Sequence, residues 1–87
     1  MCTYATEKII AVGSAKGADG WFRITDAVVY YDHPVHAMAE HSLNIDFAAP
    51  AQGPSARVAV ELTAESARLL VTAIERALAS APAELTT

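Results

Sequence analysis

Apolar and polar positions alternate through most of this chain, and the period changes from two to that of a helix only near the end. Tyr4 to Val12 mixes apolar and polar residues with β-branched enrichment and predicts a strand suited to a sheet edge. Gly13-Ser14-Ala15-Lys16-Gly17-Ala18-Asp19-Gly20 has three glycines and no apolar period, so it reads as a hairpin loop. Trp21-Phe22-Arg23-Ile24 then leads through Thr25-Asp26 into Ala27–His33, a run of β-branched and aromatic residues that predicts a strand with a bend or bulge at Thr25-Asp26. His41–Phe47 alternates cleanly, with Leu43, Ile45 and Phe47 on one face and Ser42, Asn44 and Asp46 on the other. Ala48–Ala56, with two prolines and a glycine, is a loop, and Arg57–Leu62 alternates again with Val58, Val60 and Leu62 inward.

Thr63 then has the chemistry of a helix N-cap, with Glu65 in the first turn where a negative charge suits the helix dipole. Ala67, Leu70, Val71, Ile74 and Leu78 form one apolar stripe at helical spacing, Arg68, Thr72, Glu75 and Arg76 face water, and Pro82 ends the segment. Strands in succession followed by one amphipathic helix predict an α+β domain over residues 1–82. It has a four-stranded, or five-stranded, antiparallel sheet and one C-terminal helix packed on one face, with 83–87 as a frayed tail.

The alternation also fixes a register. If His33 lies opposite His41, then Tyr31 faces Leu43, Val29 faces Ile45 and Ala27 faces Phe47 on one side of the sheet. Asp32 then faces Ser42 and Tyr30 faces Asn44 on the other, whereas a slip of one residue sets apolar against polar along the whole pair. The second face, carrying Tyr30, Asn44, Asp46, Ala59 and Glu61, is either wet or paired with a second subunit.

Composition changes this picture in one respect. A chain of 87 residues buries only about 60–65% of the surface its unfolded form exposes, yet 53% of its residues are apolar. That excess predicts a homo-oligomer, a homodimer in the simplest case, with apolar surface covered by another chain. The net charge of −4, with six Lys and Arg scattered singly, offers no basic patch to phosphates, so nucleic acid is excluded as an expected partner. No apolar run reaches the roughly 18–20 residues that span a bilayer, and the start lacks a basic segment followed by an apolar one, so no membrane association is expected. A single cysteine fits a reducing, cytoplasmic setting.

The candidate chemistry lies in Tyr30-Tyr31-Asp32-His33-Pro34-Val35-His36-Ala37-Met38-Ala39-Glu40-His41-Ser42-Leu43, which holds all three histidines. Cross-strand neighbours bring Cβ atoms about 4.5–5.5 Å apart, and a turn with Pro34 at its second position keeps His33 and His36 within about 7 Å. His33, His36 and His41 are therefore candidate ligands of one divalent transition metal, and zinc, copper, nickel and iron all accept imidazole. Glu40, Asp32 and Asp46 are candidate carboxylates to orient a histidine or join the shell. Cys2 is a candidate fourth ligand or a nucleophile paired with a histidine. Tyr31, directly below His33 in this register, and Glu40 complete the catalytic candidates. An unmetallated polar pocket taking a small-molecule ligand and a set of solvated loop histidines are the alternatives. A phosphate cradle at Gly13–Gly20 is disfavoured, because Lys16 is followed by Gly17 and no helix opens there.

The strings Met1-Cys2-Thr3-Tyr4, Gly20-Trp21-Phe22, Tyr31-Asp32-His33-Pro34-Val35-His36-Ala37, Leu43–Phe47 and Gly53–Leu62 resemble a family of short actinobacterial proteins that carries only an uncharacterised label. The resemblance spans Met1 to about Leu78. It implies a bacterial cytosolic origin and brings no activity, cofactor or catalytic residue with it. The functional expectation is a small metal-binding protein with a histidine-rich loop, with a non-catalytic homo-oligomeric interaction module or small-molecule-binding subunit as the alternative.

Overall fold

A computed structural model describes residues 5–33 and 41–87. The chain forms an antiparallel sheet in the order β1-β2-β3-β4, with β1 Thr6–Gly17, β2 Gly20–Asp32, β3 Ser42–Ala48 and β4 Arg57–Leu62, followed by the helix α1, Ala64–Ser80. This is the expected α+β architecture with four strands. A 3₁₀ turn, Pro50–Gln52, sits in the β3–β4 loop, which the Ala49 N–H closes by donating to the Ala56 carbonyl at 3.0 Å. A second 3₁₀ turn, Ala83–Leu85, follows α1 within the tail.

The β2–β3 register is the one the alternation requires. Tyr31 pairs with Leu43, Val29 with Ile45, Ala27 with Phe47, Asp32 with Ser42 and Tyr30 with Asn44. β4 continues each row, with Leu62 beside Leu43, Val60 beside Ile45 and Val58 beside Phe47. One face is thus a grid of Tyr31-Leu43-Leu62, Val29-Ile45-Val60 and Ala27-Phe47-Val58, extended by Ile9 beside Ala27.

The first hairpin differs from the expected one. Gly13–Gly17 is not a loop but the second half of β1, paired residue for residue with Ile24 to Gly20. Its small residues follow the pairing imposed by the strongly β-forming Trp21-Phe22-Arg23-Ile24 rather than any pattern of their own. Gly17 belongs in the strand because a Cβ there would meet the Phe22 ring at 3.2 Å, so glycine marks close packing, not a turn. Ala18-Asp19 alone reverse the chain, and Gly20 takes a φ of 105°, a conformation that glycine adopts without steric cost. The irregularity expected near Thr25-Asp26 is present on the partner strand, where Ala11 and Val12 of β1 stand against the single Thr25.

The helix begins where its cap predicts. Thr63 Oγ1 accepts the Ser66 N–H at 3.1 Å and Glu65 lies in the first turn, while Ala81 and Pro82 end it. α1 has 17 residues, and no helix among the described residues is long and apolar enough to cross a membrane. Its packing on the sheet is slight. α1 makes its main contacts with β3 and β4, and only Ala64 and Ala67, in its first turn, are even half-buried. Leu69, Leu70, Val71, Ile74 and Leu78 all remain exposed.

The core is correspondingly thin. Among the described residues the fully buried apolar side chains are three alanines, Ala27, Ala49 and Ala56. Val29, Ile45, Phe47, Val58, Val60 and Leu62 are half-buried, and Val12 and Trp21 are 93% and 71% exposed. Thr63→Ala should lower stability by about 1 kcal/mol and Thr63→Ser should restore most of it, as read by denaturant unfolding at a fixed protein concentration.

Candidate functional site

β2 ends one residue before His33 and β3 begins one residue after His41, so the hairpin register carries the two imidazoles to the rim as neighbours. Their ring centroids are 4.5 Å apart with an interplanar angle of 28°. Tyr31 stacks on His41 from the sheet side, centroids 5.8 Å apart and planes within 10°. The rim is therefore a column of three rings, Tyr31, His41 and His33, standing over the apolar face. His33 is exposed, whereas Nε2 of His41 is buried.

The juxtaposition of His33, His41 and Tyr31 expected from the apolar alternation is present. Stacked imidazoles point their ring nitrogens side by side, so shared ligation of one ion requires rotation of at least one ring towards a common point. Among the described residues, no group of three or more His, Cys, Asp or Glu is placed to hold a metal ion. His36, Glu40 and Cys2, the remaining candidates for ligation or catalysis, lie outside the described residues.

Of the three carboxylates expected to orient a histidine, Asp32 and Asp46 have other engagements. Asp32 Oδ1 accepts the backbone N–H of the next residue, His33, at 2.7 Å, a local side-chain-to-backbone contact at the start of the rim. Asp46 lies on the opposite face of the sheet, where Arg57 donates to Oδ1 at 2.9 Å and the Tyr30 hydroxyl approaches Oδ2 at 3.5 Å. Arg57 is half exposed, so this ion pair contributes at most about 1 kcal/mol.

That opposite face also holds a buried polar pair with no expected role in ligation. Ser42 is 0% and Asn44 5% exposed, and the Ser42 hydroxyl donates to the Asn44 amide oxygen at 2.7 Å. Buried side-chain hydrogen bonds of this kind are costly to break. The signal was the run Ser42, Asn44, Asp46 at period two, set against Asp32, Tyr30 and Val28 by the register. Burial pushes the Tyr30 phenol above the usual tyrosine value. The Asp46 carboxylate raises it further, while the Arg57 guanidinium pulls it down.

An open four-stranded sheet with an aromatic rim and a barely docked helix defines a small α+β protein of incomplete core. The chain belongs to a family of unknown function, DUF6295, whose sequence profile matches residues 1–87. No curated protein and no solved structure matches it.

Because the folded chain holds the Tyr30 proton more tightly than the unfolded chain, the associated stability is present below the unfolded tyrosine pKa, about 10, and is lost as the pH rises through the higher folded value. Titration followed by phenolate absorbance should show one tyrosine ionising late. Asp46→Asn should bring that transition down, and Tyr30→Phe should abolish it.

Proposed function

We propose that this protein works as a self-associating interaction module, a homo-oligomer whose folded unit is completed by a second copy of the chain. The observation that carries the reading is an exposed apolar helix stripe beside a sheet face that is only half-buried. Ile74 and Leu78 of the helix stripe are 50% and 55% exposed, and the grid of the sheet contributes one fully buried side chain, Ala27.

Size supports the same reading. A folded monomer of 9.2 kDa exposes about 4,900 Å² by the usual mass scaling, whereas this chain exposes 6596 Å². The radius of gyration of 14.4 Å also exceeds the roughly 12 Å of a compact chain of this length. Light scattering and sedimentation at micromolar concentration should give twice 9.2 kDa or a higher multiple; a monodisperse monomer overturns the reading.

A second reading rests on the 4.5 Å separation of the His33 and His41 rings. In it the rim binds a divalent transition metal, zinc, copper, nickel or iron, through His33 and His41 after ring rotation, with His36 as the third ligand and Cys2 or Glu40 completing the shell. Cys2, Tyr31 and Glu40 are the groups available for chemistry at such a centre, and a small-molecule ligand would meet the same rim. Elemental analysis of untagged protein should find about one metal per oligomer subunit, lost in His41→Ala. Metal below about 0.1 per chain, unchanged on adding Zn²⁺, Cu²⁺ or Ni²⁺, removes this reading. We place either form in the cytoplasm of an actinobacterium, a setting supported by the single cysteine and by the strings quoted above.

A further inference from the structure

The self-association proposed above leaves open which surfaces meet. Three parts of the chain offer apolar area: the half-buried sheet grid, and the exposed helix stripe and first hairpin. The grid and the stripe are complementary in shape. α1, with 17 residues, is about 25 Å long, and β3, with seven, spans about 23 Å. The row Val29-Ile45-Val60 crosses β2, β3 and β4, two interstrand spacings or about 10 Å, which is the diameter of one helix.

The helix of the same chain does not occupy this place. One residue, Thr63, joins β4 to α1, and its side chain is committed to the cap, so the direction in which the helix leaves the sheet is set at its first turn. From Leu69 onward the stripe stands clear, with hollows between helix and sheet on both sides of the junction. One is lined by Tyr31, Leu43, Ala64, Ala67 and Arg68, and the other by Leu62, Ser66, Leu69, Leu70 and Ala73.

We propose that α1 of one copy lies across the apolar sheet face of a second copy, centred on Val29, Ile45 and Val60, in a reciprocal two-fold pair. This inference rests on the self-association reading. It follows from what the other packings leave bare. Sheet against sheet leaves both helix stripes in water, and helix against helix leaves both grids only half-buried. Reciprocal exchange covers all four surfaces with a single isologous contact. The scale agrees, since the chain as a whole exposes about 1,700 Å² more than the mass scaling gives and obligate dimers bury roughly 1,000–2,500 Å² per chain. Thr72 and Arg76 occupy the far side of the helix and Arg68 and Glu75 its flank, all four exposed, with Arg68 at the edge of the hollow beside Tyr31 and Leu43. The polar sheet face, with Ser42, Asn44, Asp46 and Glu61, is chemically unfit for the stripe.

The test is disulfide trapping between unlike chains in a Cys2→Ser background. Ile74→Cys protein mixed with Ile45→Cys protein should yield a cross-linked dimer, and neither alone should. Cross-linking of Ile45→Cys with itself identifies sheet-on-sheet packing, cross-linking of Ile74→Cys with itself identifies helix-on-helix packing, and no cross-link in any sample removes the exchange; each overturns the proposal. In the uncross-linked protein, Ile74→Lys should weaken association at least 100-fold while Arg76→Ala changes it less than threefold. An oligomer that persists at full mass in Ile74→Lys overturns the exchange and leaves self-association standing. A wild-type chain that sediments as a monomer overturns both.

Discussion

The constraint on which the structure depends is that an apolar sheet face must be covered. Each strand from β2 to β4 places every second side chain on one side, and the register stacks these into three rows that are apolar throughout. Burying such a face is the main source of stability open to a chain of this size, at roughly 25 cal/mol for each Å² removed from water. The sheet cannot realise that gain by itself. Hydrogen bonds fix the strands relative to one another, but Val29, Ile45, Phe47, Val58 and Val60 remain only half-buried. The helix that carries the matching stripe touches the sheet mainly at its start.

The other features follow from this division. The polar face is finished within one chain, because Ser42, Asn44, Asp46, Arg57 and Tyr30 satisfy one another there. The apolar face is unfinished. The histidine rim stands at the end of that unfinished face, with Tyr31 connecting the column of rings to the grid. Any ligand or metal at the rim would therefore sit beside the proposed contact between copies, and its affinity would be linked to assembly.

Much of this was legible in the sequence because the signals were local and repeated. Alternation over Leu43, Ile45 and Phe47 against Val29 and Tyr31 specifies register, since a slip inverts every side chain, and the His33–His41 pair follows from that register. Thr63 and Pro82 mark the helix ends by backbone chemistry. The second half of β1 was not legible. Gly13, Ser14 and Gly17 carry loop propensity, and they are strand only because Ile24, Arg23 and Gly20 of β2 lie across from them, a relation set by pairing at a distance. The slight docking of α1 was also invisible, for an amphipathic stripe states that a helix needs a partner and is silent on whether that partner is in the same chain. Cys2, His36 and Glu40 lie outside the described residues, so the candidate site is legible in its cross-strand part alone.

The central claim is that folding of this chain is completed by a second copy. Its most direct test is thermal unfolding of the wild-type protein over a hundredfold range of concentration. If the fold is completed between chains, mass action adds about 2.7 kcal/mol across that range, and the midpoint rises by several degrees. A midpoint independent of concentration, with a single cooperative transition, would contradict the account.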